Sequence, residues 1–417
     1  MSAAAATQRG RVLLEQRRYP EAEKYFRDAL ANDPNDPEAL YFLAVCQTNQ
    51  NRHKDALETI DRTLAVAPEM ADFHALRAFI LVDLHRSGDA LKASEEALRI
   101  EPDSDFALTA RAAAFLSRNE WATAELAARK ALDLNPENSI AANQLAHALR
   151  LQNRLQESAE QTGYMLSQDP ESGDNHSTAG WLALQRGDGR KAEEHFLEAL
   201  RLDAGNESAK AGLKEAFKAR SAIYRWYLNY CFFMQRFTAG KQWLVLLGLL
   251  FAVNIAPRVL PPSLALGVSV TYMLFVLWVH VARAVGNFQL LFDRFARHAL
   301  EKGEVWEAIF VGIGVIAGLP LLAAGLIARQ PILLVAGVTL IGSAFPFAYT
   351  FMNSVKAGRL LFGGIGVFVY FAGGISIYQM LTDHSLGVWT APLGQLAFLA
   401  VIGVTWLCNV RSLNRRA

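Results

Sequence analysis

The sequence predicts an all-α protein in two parts: a superhelix of six helix–turn–helix repeats with a capping helix, followed by a six-helix transmembrane bundle. Three observations predict this architecture. Prolines recur every 34 residues through the first half, and six apolar runs of roughly 18–23 residues fill the second half. Charge is also divided unevenly, because residues 1–239 carry 29 basic and 35 acidic side chains whereas residues 240–417 carry 12 and 5.

The repeat appears in several columns of the sequence that share one period. The prolines are Pro34, Pro68, Pro102, Pro136 and Pro170. One column of small residues runs Gly10, Ala44, Ala78, Ala112, Ala146 and Gly180. Proline ends one pair of helices, while small side chains let the two helices of a pair approach closely. Because a single pair cannot bury its own apolar face, the pairs are expected to stack into a superhelix.

This pattern resembles the tetratricopeptide repeat (TPR) family. Six repeats fit at 3–36, 37–70, 71–104, 105–138, 139–172 and 173–206. The fifth repeat departs most, since Ser158 and Met165 replace alanines and Gly163 lies inside its second helix at a cost of about 1 kcal/mol. The next domain, 207–241, is expected to hold a helix that caps the stack and an aromatic juxtamembrane helix.

The resemblance implies a protein or peptide partner, bound in the concave groove that the first helix of each repeat lines. By position, the groove residues are Arg11, Tyr41, Val45, Phe79, Thr109, Asn143, His147 and Trp181. One TPR subgroup holds a C-terminal carboxylate with Lys and Asn pairs, and only Asn143 matches that pattern here. The alternative is that these side chains merely line a solvated groove.

Other classes of function find little support. The acidic first half argues against a nucleic-acid partner, which needs a basic face. The three cysteines, Cys46, Cys231 and Cys408, are far apart and odd in number, so neither a disulfide framework nor a metal site is predicted. The sequence contains no HExxH, CxxC, GxSxG or Walker motif. We therefore expect no catalytic residue, no cofactor and no enzymatic activity.

The second half predicts a membrane domain over 242–417, because each apolar run is long enough to cross about 30 Å of hydrocarbon as a helix. The spans are expected at 242–260, 262–284, 306–328, 331–352, 360–381 and 391–409. Ten Lys and Arg residues fall on the side of the repeats and two, Arg258 and Arg329, on the other. The positive-inside rule then places both termini and the repeats in the cytoplasm. Many Arg and Ala residues suggest a bacterial protein, hence the inner membrane.

Two segments are predicted at the membrane surface. The stretch "YRWYLNYCFFMQRF" combines rings with arginines, which suits the headgroup level. Its expected interface residues are Tyr224, Trp226, Tyr227, Tyr230, Phe233 and Arg236. The alternative is that these rings pack only against the last repeat and the bundle. The second segment, 287–302, is predicted as an amphipathic cytoplasmic helix.

Within the spans, the spacing of Gly314 and Gly318 is the small-xxx-small arrangement of closely packed helices. No Asp, Glu, Lys or Arg lies in the middle of a span. The leading hypothesis is therefore a membrane-anchored scaffold or adaptor, similar to bacterial TPR proteins with a C-terminal multi-span domain. A transporter or channel regulated by the repeats is the alternative. No set of residues in the sequence supports a third hypothesis, an intramembrane enzyme. A membrane-protein partner or a homo-oligomer stays possible.

Overall fold

The fold is all-helical, as a computed structural model describes it for residues 3–237, 242, 244, 248, 251, 253–255, 257–294, 296–382, 390–408, 410 and 413. These residues form nineteen α-helices, one 3-10 helix and no strand, which confirms the predicted class. The repeat helices are α1 Ala3–Glu15, α2 Tyr19–Asn32, α3 Pro37–Asn49, α4 His53–Val66, α5 Ala71–Asp83, α6 Ser87–Ile100, α7 Asp105–Ser117, α8 Trp121–Leu134, α9 Ser139–Leu151, α10 Leu155–Gln168, α11 Gly173–Gln185 and α12 Gly189–Leu202. The others are α13 Glu207–Lys218, α14 Ala222–Gln235, α15 Pro262–Leu290, α16 Lys302–Ala328, α17 Pro331–Phe347, α18 Lys356–Thr382 and α19 Thr390–Leu407.

The chain divides into two compact units. The repeat unit comprises Met1–Ala209 and Phe232–Trp243, and the apolar unit comprises Lys210–Cys231 and Leu244–Ala417. Most of α13, which the sequence predicts as a cap on the repeats, is therefore grouped with the apolar helices. One contact that joins α13 to these helices is the ion pair of Lys214 with Glu304.

Each repeat passes from its first helix to its second through one residue in the left-handed conformation. These residues have φ between 57° and 84° and follow the same period of 34: Arg17, Asn51, His85, Asn119, Asn153 and Gly187. A second periodic position caps the first helix of the following pair, where Asp36, Ser104, Asn138 and Ser172 accept hydrogen bonds from backbone N–H groups. The capping side chain satisfies a helix end that would otherwise lack a partner.

An ion cluster cross-links the first two repeats and recurs three repeats later. Arg27, Gln50 and Arg52 donate hydrogen bonds of 2.7–3.0 Å to the carboxylate of Glu23. Although partial burial opposes ionisation, these hydrogen bonds hold the pKa of Glu23 below its ordinary value. The equivalent residues of the second cluster are Glu125, Arg129, Gln152 and Arg154.

Within its described residues, the apolar unit contains three helices that are long and apolar enough to cross a membrane: α15, α16 and α18. The apolar helix α17 and the segment 392–404 of α19 are shorter. The predicted spans 262–284, 306–328, 331–352, 360–381 and 391–409 fall on α15 to α19 in order. The predicted span 242–260 lies partly outside the described residues, which leave out 243, 245–247, 249, 250, 252 and 256.

The segment predicted as an amphipathic helix, 287–302, differs in the structure. Helix α15 continues without a break to Leu290. Of the described residues between this helix and the start of α16 at Lys302, Ala296–Ala299 form a 3-10 helix. Asn287 and Leu290 are buried, like Ala284 one turn earlier. Because the packed face of α15 extends beyond its apolar run, tertiary packing lengthens the helix where the sequence pattern indicates a new one.

Candidate functional site

The first helices of the repeats carry the predicted groove residues, and the aromatic ones lie in the second, third and sixth repeats. The ring of Tyr41 stacks on Phe73 at 5.1 Å, and Phe79 lies 5.4 Å from Phe106. Burial raises the pKa of Tyr41 to about 12, so its hydroxyl stays protonated. Both Tyr41 and Phe79 are half-buried, and so is Val45. They leave part of an apolar surface accessible.

Arg11 lies in the first repeat and is exposed. Its Nη1 donates to Glu38 Oε1 at 3.2 Å, and its guanidinium lies 5.3 Å from the centre of the Phe42 ring. Its charge is therefore already paired within the repeats. A partner at this end of the groove would meet a neutralised guanidinium rather than a free cation.

Thr109 does not reach the groove surface, in contrast to the prediction. It is fully buried, with 0% of its surface exposed. Its hydroxyl donates to Asp105 O at 2.7 Å and accepts a hydrogen bond of 3.0 Å from Asn138 Nδ2. The capping residue of α9 therefore covers this threonine, so a partner cannot reach it.

Asn143 is committed to contacts between neighbouring repeats. Its Oδ1 accepts from Thr178 Oγ1 at 2.9 Å, while its Nδ2 donates to Ser139 O and to Asn175 Oδ1 at 3.0 Å. The side chain thus links α9 to α11. With both polar atoms occupied, Asn143 acts as a cross-link of the array.

Arg150 lies beside the predicted groove residue Trp181, and the sequence analysis did not name it. It lies on α9, one turn after the exposed His147, and only 7% of its surface is exposed. Its guanidinium lies 5.9 Å from the ring centre of Trp181, and its Nη1 donates to Gln185 Oε1 at 2.9 Å. The signal was present, because the other residues of this column are Leu14, Thr48, Val82, Leu116 and Leu184.

Trp181 lies on α11, the first helix of the sixth repeat, and contacts Arg150 from there. Its ring meets Phe196 edge-on at 5.6 Å, and its Nε1 donates to Ser208 Oγ at 3.0 Å. The indole is half-buried. Held from both ends, it offers a fixed aromatic surface beside the Arg150 guanidinium.

The predicted interface residues of α14 differ in exposure. Tyr224 is buried and its hydroxyl donates to Glu215 Oε2 at 2.7 Å, while Tyr227 and Tyr230 are half-buried. Trp226 and Phe233 are exposed, as are Ile223 and Arg236. The arrangement gives α14 one face packed in protein and one face of exposed rings.

Helix α14 contacts α15. The rings of Trp226 and Tyr230 lie edge-on to Phe275 at 5.9 and 5.2 Å. A Cβ on Gly286 would lie 2.6 Å from Cε2 of Tyr224. Since Phe275 and Gly286 are about three turns apart, this part of α14 runs along α15.

A buried charge cluster lies among α13, α15 and α16 of the apolar unit. Lys214 Nζ is 3.1 Å from Glu304 Oε2, whose carboxylate also lies 3.9 Å from Arg283. Lys218, which is buried, is 2.9 Å from Glu215. Burial opposes ionisation of Glu215, but Lys218 and the Tyr224 hydroxyl hold its pKa below the ordinary value. The cluster attaches α13 to the apolar helices.

Gly314 and Gly318 lie where α16 and α17 pack closely. A Cβ on Gly314 would be 2.8 Å from Leu340 O, and one on Gly318 would be 3.1 Å from Gly337 O. The close contact between α16 and α17 continues at Gly325, where an added Cβ would lie 2.6 Å from Leu334 N. The glycines therefore permit contact between the two helix backbones. Across the described part of the chain, no group of three or more His, Cys, Asp or Glu side chains could hold a metal ion.

Comparison with known families identifies the repeats. Two tetratricopeptide repeat family models match residues 13–80 and 109–172. The chain therefore contains a TPR segment, as the sequence predicts, and TPR repeats are modules of protein–protein interaction. TPR folds typically serve as scaffolds without catalytic activity.

Solved structures are similar to about half of the chain. A TPR protein from Parabacteroides merdae ATCC 43184 is 17% identical, covers 51% of this chain and 83% of its own, and has a TM-score of 0.44. PilF of Pseudomonas aeruginosa is 21% identical over 50% of this chain and 95% of its own, with a TM-score of 0.38. A thermophilic TPR protein from Thermus thermophilus is 20% identical over 52% and 98%, with a TM-score of 0.34. A search of curated proteins gives no match.

Proposed function

We propose that this protein is a membrane-anchored TPR scaffold, which binds a protein or peptide partner in its groove on the cytoplasmic side of a bacterial inner membrane. One observation carries the proposal: the same chain contains a TPR segment and, among its described residues, three helices long enough to cross a membrane. The protein acts by binding and not by catalysis.

Partial exposure of the groove aromatics supports partner binding. Tyr41, Phe79 and Trp181 each keep one part packed and another accessible. Large rings that are already held by neighbours lose little conformational entropy on binding, and such residues dominate the energy of interfaces. The exposed His147, one turn before Arg150 on α9, adds a polar side chain. The groove therefore has the composition that an extended or helical segment requires.

The distribution of basic residues supports the proposed orientation. Six spans would return the chain to the side on which it starts, and the ten basic residues on the side of the repeats favour the cytoplasm. The exposed rings of α14 and Arg236 suit the headgroup region of the same leaflet. A membrane-protein partner of the bundle, or a second copy of the chain, is compatible with this arrangement.

Crosslinking in native membranes tests partner binding. The full chain is crosslinked, solubilised and purified, and proteins recovered with it are identified by mass spectrometry. The test variant carries Phe79→Ala and Trp181→Ala. The matched control is Leu126→Ala, which removes an apolar side chain that is 69% exposed on α8, a second helix of its repeat. We expect a specific partner with wild type and the control, and its loss with the groove variant. Recovery of the same proteins with all three would contradict groove binding.

Membrane anchoring has its own test. We expect the chain to stay in the pellet after alkaline carbonate extraction of membranes. In inverted inner-membrane vesicles, whose cytoplasmic face is outside, protease should remove the repeat unit and leave an apolar fragment protected. Release by carbonate, or a repeat unit protected in inverted vesicles, would refute the anchor or its orientation.

A further inference from the structure

Arg150 presents a charge for which the repeat unit supplies no counter-charge. Among the described residues it makes no ion pair, and its Nε and Nη2 have no hydrogen-bond partner. The contacts of the guanidinium are Gln185 Oε1 at 2.9 Å and the face of Trp181 at 5.9 Å. Burial lowers the pKa of Arg150 to about 10, so the side chain remains charged at neutral pH.

A buried and unpaired guanidinium is costly, and the fold does not need it. Burying a charge without a partner opposes folding, which is why buried arginines are usually paired. The neighbouring repeats place Leu116 and Leu184 at the equivalent positions, so an apolar side chain fits this column. The other buried ion clusters of the repeats, such as Glu23 with Arg52, contain their own carboxylate. Arg150 lacks one, which points to a carboxylate supplied from outside.

We propose that Arg150, Trp181 and His147 form a carboxylate-binding subsite of the groove, which takes an Asp or Glu side chain from an extended segment of the partner protein. The inference rests on the proposed function, because it assigns chemistry to the partner in the same groove. Arg150 supplies the charge and two N–H donors, on Nε and Nη2, that have no hydrogen-bond partner among the described residues. Trp181 fixes the guanidinium plane, and His147 lies one turn away on the same helix face.

The position of the subsite favours an acidic side chain over a chain terminus. Arg150 lies in the fifth of six repeats, and first helices with accessible side chains continue on both sides of it. A segment can therefore run past the subsite in either direction. The paired Lys and Asn residues that hold a terminal carboxylate in one TPR subgroup are also missing here.

The aromatic residues of the third repeat define a second subsite at a fixed distance. Phe79 and Phe106 lie 5.4 Å apart and leave an apolar surface two repeats before Arg150. Neighbouring helices are about 10 Å apart, so the two subsites are separated by about 20 Å. An extended chain advances about 3.3 Å per residue, so the partner segment should carry its acidic residue about six positions from an apolar one.

A peptide library tests this inference on the full chain in lipid nanodiscs. Phage-displayed random peptides of about 12 residues, long enough to cover both subsites in an extended form, are selected on wild type. One selected peptide is synthesised in three forms: with its acidic residue, with that residue changed to the amide, and with an amidated C-terminus. Fluorescence polarisation then measures the affinity of each form for wild type, Arg150→Gln and Arg190→Gln. Arg190 is a matched control because its side chain is 92% exposed on α12.

We expect selected peptides to combine an acidic residue and an apolar residue at the stated spacing. Wild type and Arg190→Gln should bind the amide form of the peptide about tenfold to a hundredfold more weakly than the acid form. This is the loss expected from one charge-assisted hydrogen bond. Arg150→Gln should bind the acid and amide forms equally. A circular dichroism melting curve that matches wild type shows that this variant is folded.

Two results would overturn the subsite while leaving groove binding intact. One is equal affinity of wild type for the acid and amide forms. The other is a loss on C-terminal amidation alone, which would assign the carboxylate to a chain terminus. If no peptide is enriched, or Phe79→Ala does not weaken any selected peptide, the groove proposal itself fails and the subsite with it.

Discussion

Gly180 and Phe196 fit so closely that a Cβ on the glycine would lie 2.6 Å from Cε1 of the phenylalanine ring. The first repeat has the same pair in Gly10 and Phe26, also at 2.6 Å. The four middle repeats have alanine in place of the glycine, and a smaller side chain at the position of the ring: Ile60, Ser94, Ala128 and Thr162. A larger residue in the first column is therefore matched by a smaller residue in the second, and the two helices of each pair remain closely packed.

The substitution Gly180→Ala tests this exchange. We expect it to lower the free energy of unfolding by about 1–3 kcal/mol, because the ring of Phe196 must move to admit the new methyl group. Urea unfolding of the full chain in detergent, followed by circular dichroism, measures the loss. The double variant G180A/F196I rebuilds the combination Ala44 with Ile60 of the second repeat and should recover part of it. A double variant no more stable than additive single effects predict would contradict the pairing.

The repeat half could be predicted from the sequence because its constraints are local. The proline after the second helix acts between neighbouring repeats, and a small residue such as Gly180 acts within one repeat. Each of them recurs with the period, so several copies support each inference. Family comparison and the structure confirm the repeats and the all-α class.

The features that could not be predicted depend on contacts between residues that are far apart in sequence, or on contacts that differ between equivalent positions of the repeats. Thr109 and Asn143 occupy the same column, yet Asn138 buries the first and Thr178 binds the second. Lys214 and Glu304 are 90 residues apart, so no periodicity connects them. Arg150 was visible as the one charged residue in its column, which otherwise holds Leu, Val and Thr, but its burial beside Trp181 needed coordinates.

The left-handed turn residues provide a prediction about stability. Arg17 has φ of 58°, a conformation that costs most L-residues about 1–2 kcal/mol and glycine almost nothing. Arg17→Gly should therefore stabilise the chain by about 0.5–1 kcal/mol, since part of that gain is offset by the greater freedom of glycine in the unfolded chain. Arg9→Gly, at another exposed arginine but inside α1, should destabilise it by about 1 kcal/mol. Thermal melting of both variants measures the difference, and melting shifts of the same sign would contradict this explanation.

The unpaired charge of Arg150 predicts a stabilised variant. Replacing it by leucine, which Leu116 and Leu184 show to fit the column, removes a buried charge and retains apolar packing. We expect Arg150→Leu to raise the free energy of unfolding by on the order of 1 kcal/mol. The control Arg190→Leu, at an exposed position, should change it by less than about 0.5 kcal/mol. If Arg150→Leu were strongly destabilising in urea unfolding, the guanidinium would be part of the structural core instead.

The pair His176 and His195 makes the sixth repeat sensitive to acid. Their Nδ1 atoms are 3.1 Å apart, a distance that suits one hydrogen bond between neutral rings and opposes two charges. Burial and then the charge of His176 lower the pKa of His195 below 6.5, with Glu194 opposing and Lys191 adding to the shift. Between the folded and unfolded pKa values the unfolded chain binds more protons, so stability decreases as the pH falls below about 6.5.

Unfolding by urea at about pH 8, 7, 6 and 5, a range that brackets the ordinary histidine pKa, measures this dependence. We expect His195→Gln to remove the part of the acid sensitivity that the pair causes. The control is His74→Gln. The ring of His74 lies 2.7 Å from Pro68 O, just as that of His176 lies 3.0 Å from Pro170 O. His74 has no histidine neighbour of this kind, because Ala93 occupies the position equivalent to His195. The control should keep the full acid sensitivity of the wild type. If both variants show the same pH dependence as wild type, the histidine pair does not couple protonation to folding of the sixth repeat.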